Sequence, residues 1–126
     1  MSAPDIPLQK AVYAAIVATG AVGDRVYHRV PSNAVQPYCQ IGDDVIGADY
    51  AAAEMSACNV TVNIVAKSKP EAKTVAASVR SALDTFIEVE GFMTCEAAFE
   101  TANYFTDADG VTARGVVTFE YLLQPL

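Results

Sequence analysis

Between residues 58 and 64 the chain alternates without interruption: Cys58, Val60, Val62 and Ile64 fall at one phase, and Asn59, Thr61 and Asn63 at the other. Successive side chains of an extended strand point to opposite faces, so this segment has one dry face and one wet face. A strand buried on both sides, as in a parallel sheet, reads as a continuous apolar run instead. The pattern calls for an antiparallel sheet covered on one side, and the rest of the chain must supply the cover.

Two helical segments can do so. Ile6, Gln9, Tyr13, Ile16 and Val17 recur at helical spacings over residues 6–19, with Gly20 placed to end the helix. Farther on, Ser68-Lys69-Pro70-Glu71 fits a capping box, in which the serine oxygen accepts from the third helical N–H and the glutamate reaches back. Ala72, Val75, Ala76, Val79, Ala82, Leu83 and Phe86 then form the apolar stripe of an amphipathic helix of about four turns.

The remaining extended segments are less regular. Residues 21–37 hold Gly23, Pro31, Ser32, Asn33 and Pro37, which leaves room for only a short extended piece around residues 25–30. A strand is expected over residues 38–45, with Cys39 and Ile41 on one face and Gln40 on the other. Residues 47–56 read as a loop more apolar than solvation requires, which makes it a candidate contact surface. After Gly91, Met93, Cys95, Ala97 and Phe99 alternate with Thr94, Glu96 and Glu100, while Val117, Phe119, Tyr121 and Leu123 oppose Thr118 and Glu120. Residues 92–123 thus form a long hairpin with its tip at residues 107–110. The order α-β-β-α-β-β gives an α+β class, with two helices on one face of an antiparallel sheet of about four strands. No linker or repeat interrupts residues 1–126, so one domain is expected.

Composition narrows the function. The net charge of -7 offers no basic stripe for sequence-specific nucleic-acid binding. No apolar run approaches a membrane span, and residues 1–10 lack the basic-then-apolar order of a secretory signal, implying a cytosolic protein. The three cysteines, Cys39, Cys58 and Cys95, are unpaired in spacing and read as small buried apolar residues. His28, the sole histidine, lies in a turn-rich stretch and reads as a surface or structural residue. Asp43 and Asp44 are adjacent in an expected strand, so they point to opposite faces and cannot share a ligand. Asp107, Asp109 and Gly110 suggest a calcium loop, but aligning Gly110 with its glycine puts Phe105 and Val116 at ligand positions. A hairpin turn explains the same residues. With no P-loop, nucleophile elbow or zinc motif either, no catalytic, cofactor or metal site is expected, and the chain reads as a non-enzymatic assembly protein.

Three segments together resemble a family of short phage tail-completion proteins, also found in prophages and gene transfer agents. The first is Val26-Tyr27-His28-Arg29-Val30-Pro31, with Ala34 and then Pro37-Tyr38-Cys39-Gln40-Ile41-Gly42-Asp43. The second is the helix carrying Glu71-Ala72-Lys73, Val79 and Ala82-Leu83, and the third runs from Asp107 through Asp109, Gly110, Thr112, Arg114 and Gly115 to Val116. Two departures stand out. Val65-Ala66 replaces a tryptophan common before the second helix, and Thr106 replaces the usual arginine before the hairpin aspartate.

The resemblance implies a virion protein, assembled in the bacterial cytoplasm, that forms a homohexameric ring at the head-proximal end of the tail. Its implied partners are further copies of itself, the tail tube protein and a head-completion or connector protein, with DNA able to pass through the ring. It also implies contacts at Tyr50, Glu54 and Met55 in the central loop and at Thr106, Asp107 and Arg114 near the hairpin tip. Two other readings stay open: a head-completion or connector protein of the neck, and a small-molecule binding module or enzyme, which would need a pocket with converging polar groups.

Overall fold

A computed structural model describes residues 3–48 and 55–126, with the backbone alone of Asp43. The elements are α1 (Asp5–Thr19), β1 (Val26–Tyr27), β2 (Tyr38–Ala48), β3 (Ser56–Ala66), α2 (Lys69–Leu83), β4 (Phe92–Thr106) and β5 (Ala113–Pro125). The strands form one sheet in the order β1-β2-β3-β5-β4. All neighbours are antiparallel except β1, whose Val26 and Tyr27 pair in parallel with Cys39 and Gln40. The α+β class and the C-terminal hairpin are as expected, but the sheet has five strands instead of about four. The addition is β1, two residues long, held where the Cys39 amide donates to the Arg25 carbonyl at 3.0 Å.

β3 is the centre of the molecule. Its Cys58, Val60, Val62 and Ile64 are buried, and so are Val117, Phe119, Tyr121 and Leu123 on β5 beside them. Both helices cover this face. From α2, Ala72, Val75, Ala76, Val79 and Leu83 are buried, and α1 adds Leu8, Val12 and Ile16. Among the described residues no charged side chain is buried, and the core stands on apolar burial and backbone pairing, joined by one buried hydroxyl, that of Tyr121, which donates to Leu83 O.

The stripe of α1 is one step from the expected one. Leu8, Val12 and Ile16 face the core, while Ile6 is 66% exposed and Tyr13 also faces solvent. A helix apolar on most of its circumference has no strongly preferred phase, so packing, and not periodicity, decides which side goes in. At α2 the Ser68 hydroxyl accepts from the Glu71 amide at 3.3 Å, as a capping box requires. The glutamate, however, accepts from the amide of Lys67, one residue before the cap, at 3.0 Å. The helix ends at Leu83, so Phe86 is not part of its stripe and is 65% exposed.

β4 departs most from a simple alternation. Register shifts between Thr94 and Glu96 and between Phe99 and Thr101 each insert one unpaired residue. Ala97 and Phe99 face the helices opposite Tyr121 and Phe119, whereas Met93 precedes the first shift and is 49% exposed. Beyond the second shift the inward positions are Ala102 and Tyr104.

Candidate assembly surface

The hairpin tip is built by one side chain. Asp109 Oδ1 accepts from the amides of Val111 and Thr112, both at 2.8 Å, and its Oδ2 accepts from the Thr112 hydroxyl at 2.6 Å. These bonds, the Thr112 hydroxyl first, hold the Asp109 carboxyl down at about 2. The Asp107 amide donates to Thr112 O at 2.8 Å and the Gly110 amide to Asp107 O at 2.9 Å. Gly110 turns the chain at φ 73°, a left-handed conformation that suits glycine. A hairpin turn, not a cation loop, accounts for Asp107, Asp109 and Gly110.

Thr106 is exposed at the end of β4, and Arg114 makes a 2.9 Å ion pair with Asp107 across the hairpin base. Those two side chains are 39% and 37% exposed, so solvent screens the pair and it contributes at most about 1 kcal/mol. Its effect is to hold two charges in a fixed place at a protruding tip. Phe105 and Val111, exposed beside them, add apolar contact area that alternation alone did not single out. Of the central-loop residues, Met55 is half-buried just before β3; Tyr50 and Glu54 lie outside the described residues. Met55 therefore adjoins the start of β3, whereas the tip group follows the opposite end of the sheet, where Ala66 pairs with Ala113. The structure brings Thr106, Asp107 and Arg114 together and leaves Met55 apart.

The motif residues of the first segment mostly hold the chain in shape. Val26 is buried; Tyr27 packs edge-on against Tyr38 with ring centroids 5.8 Å apart. Arg25 Nε donates to Pro37 O at 2.9 Å, beside the cis bond between Gln36 and Pro37, and Pro31 O accepts from the Ala34 amide at 3.2 Å. A Cβ on Gly42 would stand 2.6 Å from Asn63 Nδ2, at the register shift of β2. Gly115 lies beneath the Tyr104 ring, where a Cβ would come within 3.2 Å.

Among the described residues no group of catalytic or metal-binding side chains gathers around this segment. The His28 ring meets the side-chain amide of Gln9 at 3.0 Å, and the His28 carbonyl accepts from Gln40 Nε2 at 3.2 Å. Asp44 is exposed opposite Val60, and the side chain of Asp43 lies outside the described residues, so their opposite-face reading does too. Burial pushes the Cys39 thiol up to about 12 and, with Asp5 and Asp44 adding, the Cys58 thiol to about 11. Both are inert packing groups. Cys95 differs from the expectation of burial, since it is half-exposed on β4 near Gln124. Among the described residues no cluster of three or more histidine, cysteine or carboxylate side chains is placed to hold a metal. A shallow groove between α1 and α2 is lined by Thr19, Ala77, Ser78, Ser81 and Ala82, and a neighbouring one by Ala77, Arg80, Ser81 and Asp84. Among the described residues no helix is long and apolar enough to cross a membrane.

Such a molecule falls in the class of small α+β domains with an apolar core and polar groups spread over edges and tips. The chain belongs to the family described as Tail completion protein gp17, whose family model matches residues 10–124. No curated protein matches it in sequence. Its fold is that of a chain in the virion of a native gene transfer agent particle, with a TM-score of 0.80, 21% identity and 98% of each chain covered.

Proposed function

We propose that the protein is a tail terminator, a structural virion component that closes into a ring on the head-proximal end of a phage or gene-transfer-agent tail. The reading rests on the family match over residues 10–124, and the likeness in fold to a virion chain supports it. In this reading six copies join head to tail, because repeated heterologous contacts that rotate by the right angle close without a free end. The closed ring stops further addition of tube subunits and presents its other side to the head-completion protein. The contacts assigned are Thr106, Asp107 and Arg114 at the tip, Met55 at the opposite end of the sheet, and Tyr50 and Glu54, which precede Met55 in the sequence. Having the tip and Met55 at opposite ends suits heterologous docking, in which two different patches of one surface meet.

The test is to mix purified protein with assembling tail tube protein and image the products. Tubes of uniform length capped by a six-fold ring are expected. Tubes that keep growing uncapped, with the protein strictly monomeric beside them at high concentration, would refute the proposal.

A further inference from the structure

β4 is an outer strand 15 residues long, and such an edge is a template on which a second copy can add a strand. The opposite outer strand, β1, has only two residues. The long edge is not left open. Asp84, the residue that ends α2, reaches over it, and its Oδ1 accepts from the Phe99 backbone amide at 3.1 Å. One turn earlier, Arg80 lies 3.8 Å from the centre of the Phe99 ring, whose other neighbour is Phe119 at 6.0 Å. The side chain that consumes the amide and the one that holds the ring thus come from the same helix end. The second register shift of β4 begins at this residue, so the ladder bends where the clasp sits. The first shift lies beside Thr94, whose hydroxyl donates to the Ile87 carbonyl of the preceding connection at 2.7 Å.

We infer that Asp84 and Arg80 form a clasp that closes the β4 edge to a second copy of this chain. Self-association by adding a strand to β4 is then closed off. Charge acts in the same direction. Glu96 and Glu100 are exposed along β4, and Glu88 and Glu90 are exposed in the connection before it. Antiparallel pairing of this edge with itself would bring carboxylates of the two copies together. The inference does not depend on the ring. A clasped edge blocks open-ended strand pairing whether or not copies close on a tail.

The experiment uses the full chain. In wild type, the Phe99 amide should exchange with deuterium roughly tenfold or more slowly than other β4 amides not bonded to β5. Asp84→Ala should lose that protection and show a sedimentation mass that rises with concentration above the wild-type curve. Asp84→Asn, which keeps an acceptor oxygen, should follow wild type. Adding Ala98→Lys to Asp84→Ala should reverse the gain in mass. An unprotected Phe99 amide in wild type overturns the inference, and so does a folded Asp84→Ala with the wild-type mass curve. Should Asp84→Ala not fold, a synthetic peptide of residues 92–106 is titrated into wild type; binding along β4 overturns the inference and absence of binding there supports it.

Discussion

Replacing Tyr121 with phenylalanine isolates one bond between sheet and helix. The Tyr121 ring is fully buried on β5, and its hydroxyl donates to the carbonyl of Leu83, the last residue of α2, at 2.6 Å. Carbonyls in the final turn of a helix have no partner within the helix, so this hydroxyl satisfies a group that would otherwise be orphaned. Burial, with Asp84 adding, raises the phenol's pKa and keeps it a donor throughout the neutral range. Tyr121→Phe retains the ring and its packing, and leaves the carbonyl without its partner. The loss is about 1–2 kcal/mol, between the net worth of an ordinary hydrogen bond and the cost of an unmet buried acceptor. Spread over the unfolding entropy of a chain of 126 residues, that corresponds to a fall in Tm of about 4–8 °C. Tyr121→Ala also empties the volume of the ring, and the loss should reach about 3–5 kcal/mol. Urea and thermal melts followed by circular dichroism measure both. A Tyr121→Phe melt that superimposes on wild type, or one as damaging as Tyr121→Ala, would refute the assignment of the hydroxyl as the tie.

Gly42→Ala should destabilise by about 1–2 kcal/mol through the crowding of Asn63, and Asn63→Ala in the same chain should recover most of it, a coupling read from a double-mutant cycle in urea. The Asp109 carboxyl has its pKa lowered from 3.8 to about 2 in the folded chain, so its bonds favour the folded tip above the unfolded value and are lost as pH falls through about 2. Accordingly the Val111 and Thr112 amide resonances should titrate together in that acid range, and in Asp109→Ala they should not. Arg114→Ala should change stability by less than about 1 kcal/mol because the pair with Asp107 is screened. If the tip is the docking surface proposed, the same variant loses tube capping, and a capping assay run beside the melt separates the two effects.

What the chain made legible followed from how strongly each segment fixed its own phase. β3 alternates strictly, and its dry face is the centre of the core. α2 carries one polar side and a serine cap, so both its start and its buried stripe follow from sequence up to Leu83, beyond which Asp84 ends the helix and Phe86 swings out. α1 has Ile6, Val12, Tyr13, Ile16 and Val17 around most of its girth, and nothing local chooses among them; contact with α2 and β2 does. Met93 faces outward for a different reason, because a one-residue bulge resets alternation without leaving a mark in composition. At the tip, the hairpin turn was readable from Asp109 and Gly110, but the pairing of Arg114 with Asp107 depends on register across strands. The Asp84 clasp was not readable at all, since it joins residues brought near only when α2 lies against β4.

The two register shifts of β4 also set a length. Between Phe92 and Thr106 the strand uses 15 residues to travel beside the 13 of β5, and the two bulges absorb the difference. An outer lane longer than its inner neighbour is what a curved track needs, so β4 arcs along the rim of the sheet. Removing one residue from β4 would straighten half of that arc and swing Thr106 and the tip to a new bearing, while leaving the central strands as they are. Relatives that need a differently aimed arm could reach one by gaining or losing a single codon here.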